Sequence, residues 1–245
     1  MYKKNDSGLS VFLFLGTIAL FVMSLISSCG KSGVAGKSTL NIQYQIINLS
    51  PDLGSVDLYI DYKKVNSFSY FYPSSSGYFY LNSIDTPFQI RPGTTLTPGT
   101  VAPSFNIFSL GKVLKSNLKY TLMITGLKTD TLAWIFTTDT SSLPALGRGK
   151  IRFINASPHS TGFDITANGT PVTVFSGIKY LQDSKYIEIP AGTYDFQLFS
   201  TGSSTILKDV PNISIQDGRL YTLYSYGLAG HTDSLAFGTG VIVNK

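Results

Sequence analysis

Apolar and polar residues alternate along most of this chain with a period of two. In the run from Val56 to Asp61, Val56, Leu58 and Ile60 share one face, while Asp57, Tyr59 and Asp61 share the other. That period predicts a half-buried strand. The pattern returns with Phe163, Ile165 and Ala167 inward and Asp164, Thr166 and Asn168 outward. Asn168-Gly169 then supplies a hairpin turn. Beyond residue 39 the apolar positions form no helical stripe, and Gly, Pro, Asn and Asp punctuate the strands.

The strands repeat as a set. Ile47-Asn48-Leu49-Ser50-Pro51 is followed by Asp57, and Ile154-Asn155-Ala156-Ser157-Pro158 by Asp164, with matching residues 107 apart. Four further anchors keep the same order: Tyr78 to Leu81 with Tyr186 to Ile189, Phe88 to Ile90 with Phe196 to Leu198, Tyr120 to Leu127 with Tyr221 to Leu228, and Asp130 to Ala133 with Asp233 to Ala236. A repeat of this length means two copies of one module. Each copy holds roughly seven short strands in about 100 residues, the spacing of an Ig-like sandwich. The expected fold is all-β: two tandem Ig-like antiparallel β-sandwiches, over 39–147 and 148–245, parted by the Ser, Pro and Gly of 141–149.

The start of the chain is different. Lys3 and Lys4 precede an apolar run over 9–26, and Ile26-Ser27-Ser28-Cys29 follows. A basic start, an apolar centre and a small-residue cleavage site describe an export signal, here 1–28. Ile26 to Cys29 resembles a bacterial lipoprotein lipobox, which implies cleavage before Cys29 and its acylation, for instance by palmitate. A plain membrane anchor would leave both the small residues and the lone cysteine without a purpose. Gly30 to Ser38 reads as a flexible tether, so 29–38 links lipid to the first module. The expected location is the cell envelope, with the protein lipid-anchored at the outer membrane. Lipoproteins sent to the cell surface carry acidic residues after the cysteine; Gly30-Lys31-Ser32-Gly33 has none, which favours the periplasmic face.

Composition narrows the chemistry. Cys29 is the only cysteine, so the mature chain has no disulfide. The net charge of +5 is scattered apart from Arg148, Lys150 and Arg152, which argues against nucleic acid as a partner. The chain has two histidines, His159 and His231, neither recurring in the other copy, and no G-x-S-x-G elbow. Glu188 is the sole glutamate. Zinc lacks ligands, and the Asn, Ser and Asp of the repeated phrase fall short of the six to eight oxygens calcium takes. The reading is therefore a non-enzyme without cofactor or metal.

Two groups of residues stand out as candidate sites. Seven aromatics fall between Phe68 and Tyr80. Phe79 and Leu81 align with Ile187 and Ile189, so that face predicts core. Tyr78 and Tyr80 align with Tyr186 and Glu188, which points them outward. Outward Tyr78, Tyr80 and Tyr186 could stack on sugar rings or dock a protein, since tyrosine has an apolar body and a polar tip. A tyrosine-rich exposed sheet face or the contact between modules is the reading favoured over these, since scattered surface aromatics need no explanation. Asp130-Thr131-Leu132 and Asp233-Ser234-Leu235 resemble a bacterial O-glycosylation acceptor, which would make Thr131 and Ser234 the modified residues.

The Asn-x-Ser-Pro phrase, the Val-Asp strand after it, Pro190 to Tyr194 and the Tyr-Thr-Leu…Gly-Leu strand together resemble the domain of unknown function 4397. The first copy departs from that pattern over 82–87. The resemblance implies a secreted or lipid-anchored bacterial β-sandwich protein and carries no activity. The expected role is a binding or adhesion module for glycan or an envelope protein partner, the alternative a structural spacer or assembly subunit.

Overall fold

The computed structural model describes residues 41–81, 85–93, 106–172 and 175–244. The expected export signal and tether, with Cys29, lie outside these residues, as does part of 82–87. Residues from Leu40 onward form one compact unit.

That unit is all-β and doubled, as the repeat predicts. The first eight strands are β1 (Gln43–Asn48), β2 (Val56–Ile60), β3 (Lys63–Lys64), β4 (Phe79–Tyr80), β5 (Phe88–Pro92), β6 (Phe108–Leu110), β7 (Lys119–Gly126) and β8 (Leu132–Thr138). They form two four-stranded sheets, β4-β1-β7-β8 and β3-β2-β5-β6. The next eight are β9 (Arg148–Asn155), β10 (Phe163–Ala167), β11 (Thr170–Pro171), β12 (Ile187–Pro190), β13 (Gly192–Ser200), β14 (Ile206–Ile215), β15 (Leu220–Tyr226) and β16 (Gly238–Val243). Their sheets repeat the order strand for strand: β12-β9-β15-β16 and β11-β10-β13-β14. Among the described residues each sandwich thus has eight strands where spacing predicts about seven, and the two-residue strands β3 and β11 are too short to leave a pattern. One pair in each is parallel, β1 with β7 and β9 with β15.

Alternation places the cores. Tyr44, Ile46, Val56, Leu58, Phe88, Ile90 and Leu122 are buried between the first pair of sheets. Phe153, Phe163, Ile165, Phe196, Leu198 and Leu223 do the same in the second. Phe79 and Leu81 belong to the first core, and Ile187 and Ile189 pack on the second.

The repeated phrase is the joint between sheets. Asn48 and Asn155 are fully buried at the ends of β1 and β9. Each side-chain oxygen accepts from the backbone N–H two residues on, Ser50 at 3.2 Å and Ser157 at 3.0 Å, closing an Asx turn. Each side-chain nitrogen donates to the incoming loop, at Tyr70 O (3.2 Å) and Ile178 O (2.9 Å). Asp57 and Asp164 hold the same loop: Ser69 Oγ donates to the first at 2.7 Å and Ser176 Oγ to the second at 2.9 Å. Asp57 is wholly buried, also accepting from Asn66 and paired with Lys64 at 2.9 Å. It is therefore not solvent-facing as alternation alone suggests.

Gly126 ends β7 and Gly227 follows β15, both at positive φ, +84° and +69°. A side chain there would strike the carbonyl of Thr131 or Ala236 across a tight turn, which is why the Gly-Leu pair recurs.

A third cluster joins the modules. Ile47, Leu49, Met123 and Ile135 pack against Ile154, Ala156, Tyr224 and Ile242. These residues lie on the outer faces of the β1 and β9 sheets. The two sandwiches therefore stand back to back on the strands that open each copy.

Candidate functional site

The module contact is polar at one end, and the polar groups pair by repeat position. Tyr78, Thr121, Gln45 and Asp139 of the first module match Tyr186, Thr222, Arg152 and Asn244 of the second. Tyr78 Oη donates to Asp139 Oδ2 at 2.9 Å, and Thr121 Oγ1 to the same oxygen at 2.6 Å. In the second copy Tyr186 Oη donates to Asn244 Oδ1 at 3.2 Å and Thr222 Oγ1 at 2.7 Å. Two links cross between copies. Asn244 Nδ2 donates to Tyr78 Oη at 2.8 Å. Arg152 reaches over from β9 to pair with Asp139 and bonds Thr137 Oγ1 at 3.1 Å. Asp139 is 2 % exposed and Arg152 4 %, so the pair is nearly dry. Burial, then the Asp139 charge, pushes the Tyr78 hydroxyl well above its ordinary value.

Thus Tyr78 and Tyr186 do sit on the outer faces, but those are the faces the modules cover. Tyr78 is spent on the contact. Tyr186 is half-buried, with the Arg152 guanidinium 4.8 Å above its ring. Tyr80 lies at the edge and is exposed. The structure brings Tyr78 and Tyr186 into one network and leaves Tyr80 outside it.

Beside this network is a groove of about 550 Å³, lined by Thr138, Thr140, Ser141, Arg152, Asp183, Ser184, Lys185 and Tyr186. It holds an aromatic ring, a carboxylate, two cations and several hydroxyls. The Asp183 carboxylate is half exposed and lies 3.9 Å from Arg152 Nη1. At the matching place of the first module the side chains differ. There Ser75, Ser76 and Gly77 replace Asp183, Ser184 and Lys185, and Gln45 Nε2 donates to Ser75 Oγ at 2.5 Å. β8 runs on into the segment joining the modules, which supplies Thr140 and Ser141 to the groove. Lys150 Nζ fastens that segment, donating to Ser142 O at 2.9 Å.

A second hollow, of about 410 Å³, lies in the second module between Asp164, Thr166, Val172, Phe175, Ser176, Phe199 and Ser203. Its carboxylate is already committed to Ser176 Oγ, Gly177 N and Gly202 N, and those bonds hold Asp164 below the usual carboxylate range against its partial burial. Such a site has little left to offer a polar ligand, and the junction groove is the better candidate.

The chain matches the domain of unknown function DUF4397 over residues 43–161 and again over 149–239. It belongs to the DUF4397 family. Two overlapping matches agree with the two sandwiches, and together they span most of the chain. None of the curated proteins compared matches it.

The other sequence-marked residues of this DUF4397 protein are dispersed. Thr131 and Ser234 are both exposed, in the matching turns before β8 and β16. His159 and His231 are surface residues, His159 Nε2 lying 2.9 Å from Asp130. Among described residues no group of His, Cys, Asp and Glu could hold a metal ion. Sequence reasoning missed Arg152, Asp183 and Lys185. The available signal was a difference between copies: charged residues at three positions where the first copy has Gln45, Ser75 and Gly77.

Proposed function

We propose that this DUF4397 protein is a non-catalytic, lipid-anchored component of the cell envelope that binds an envelope glycan in the junction groove. The observation that carries this reading is the groove itself, where Tyr186, Asp183, Lys185 and Arg152 meet. A sugar offers an apolar face for an aromatic ring and paired hydroxyls for a carboxylate or guanidinium. The anchor rests on Cys29 behind the apolar run, and the outer membrane is the expected bilayer. Thr131 and Ser234, exposed at matching turns, suit O-glycosylation of the protein itself.

The test is capture of the lipidated protein by purified envelope glycans. Asp183→Ala with Lys185→Ala should abolish capture while leaving thermal unfolding unchanged, because neither residue crosses between modules. Undiminished capture would remove the groove from the case. Cys29→Ser should release the protein from membranes and end fatty-acid labelling.

A second reading, a structural spacer, is favoured by the buried Arg152–Asp139 pair. It locks two modules into one stiff body, which suits a part that sets a distance. That reading expects no saturable glycan.

A further inference from the structure

The end of the unit where the chain enters carries exposed apolar side chains that the fold does not need. Strand pairing defines that end: β1 starts there beside the end of β4 (Gln43 with Tyr80) and the start of β7 (Gln43 with Lys119). Asn41 Nδ2 donates to Asn117 Oδ1 at 3.0 Å, so the entering chain meets the loop before β7. The β2–β3 turn is at the same end, since one hollow is lined by Ile60, Asp61, Lys63, Val65, Tyr80, Leu81 and Asp85. Val113 joins Asp61 and Asp85 around a second hollow. The segment joining β8 to β9 also turns here.

Six apolar or amphipathic residues are exposed at this end: Tyr62 49 %, Val65 39 %, Tyr80 46 %, Val113 63 %, Leu143 63 % and Leu146 95 %. Lys63, Lys112 and Lys115 stand exposed among them, against Asp61 and Asp85. The turn is the informative part. In the second copy it is Asn168-Gly169, with φ of +50° and +73°. In the first it is Asp61-Tyr62, with φ of +48° and +63°. Left-handed backbone suits Asn and Gly, whereas a bulky residue there is an outlier. The two-residue turn between paired Ile60 and Lys63 sets positive φ at both positions, and it presents the Tyr62 ring half exposed.

We propose that this end rests on the lipid surface to which the protein is anchored, with Tyr62, Tyr80 and Val113 at headgroup level. The inference rests on the lipid anchor at Cys29 put forward above. Tyrosine and lysine suit the interface because each pairs an apolar stem with a polar tip. The chain between Cys29 and Asn41 gives the reach. Twelve residues on from Cys29, the entering chain lies at most about 40 Å from the lipid. The opposite end of the unit lies a further strand length away, about 20 Å. The anchor therefore holds the entry end nearer to the bilayer than the loop at Lys128.

Cys29 is the only cysteine, and acylation blocks it, so a nitroxide on a single introduced cysteine reports alone. The lipidated full chain, carrying Tyr62→Cys, Val113→Cys or Lys128→Cys, is placed on phosphatidylethanolamine–phosphatidylglycerol vesicles. Labels at 62 and 113 should shift toward high oxygen and low nickel-chelate accessibility, while the label at 128 stays at its value in solution. Water-like accessibility at both 62 and 113, with Cys29 shown to be acylated, overturns the contact and leaves the anchor standing. Lack of fatty acid on Cys29 overturns the anchor, and the contact with it. Labels immobilised but shielded from oxygen and nickel alike mean a protein partner there, which also overturns the proposal.

Discussion

At the scale of single residues, the most consequential side chain is an asparagine used twice. Asn48 and Asn155 are buried, and each ties its strand end to a loop more than twenty residues later. Asparagine is suited to this because it donates and accepts at once. Alanine would leave the Tyr70 or Ile178 carbonyl and the turn N–H without a side-chain partner. Each substitution should cost about 2–3 kcal/mol, read as a lower urea midpoint. Asp164→Ala, at a half-exposed position, should cost less than Asp57→Ala. The latter removes the carboxylate paired with Lys64, whose side chain is 1 % exposed. The importance of Asn48 and Asn155 was legible from their recurrence. Their bonding was not, because their partners lie far along the chain.

At the scale of elements, β1 and β9 break strict alternation. Ile46-Ile47 and Phe153-Ile154 are adjacent apolar pairs, and adjacent residues of a strand face opposite ways. One of each pair enters a core, and Ile47 and Ile154 enter the module contact. A strand apolar on both faces is a strand buried on both. That was the signal in the sequence for a contact between modules. Within the contact, Asp139→Ala should destabilise the unit by about 3 kcal/mol, since it takes the close, buried carboxylate away from a buried guanidinium. Arg152→Met combined with Asp139→Leu should recover most of that loss. A double-mutant cycle by chemical denaturation checks this, and purely additive effects would show that the pair does not couple the modules.

At the scale of the whole molecule, the two sandwiches should unfold as one cooperative unit at neutral pH and lose stability in alkali. Burial, and then proximity to Tyr226, push both Tyr72 and Tyr224 up to about 12. Tyr72 and Tyr226 meet edge-on at 5.8 Å across the module contact. A folded-state value raised above the ordinary tyrosine value of 10.0 means the folded state holds its proton more tightly. The stability these two groups contribute is therefore full below pH 10, falls between pH 10 and 12, and loses nothing further above that. Denaturation midpoints against pH should show this slope, and Tyr72→Phe with Tyr224→Phe should reduce it. An unchanged slope in the double variant would assign the loss to other groups.

What the sequence by itself determined is the local part: strands from the period of two, two modules from the repeat, turns from Asn, Gly and Pro, and family membership from their order. These depend on residues near one another in the chain, or on comparing one copy with the other. What only the tertiary structure decided is how the outer faces are used. Alternation says that Tyr78, Tyr80 and Tyr186 point away from their own cores, and it has no means of saying what lies beyond. Packing of the β1 sheet on the β9 sheet bonds Tyr78 to Asp139, seats Arg152 over Tyr186, and leaves Tyr80 in solvent. The physical reason is that a strand's pattern records that a side chain faces outward, while burial depends on surfaces brought together from distant parts of the chain.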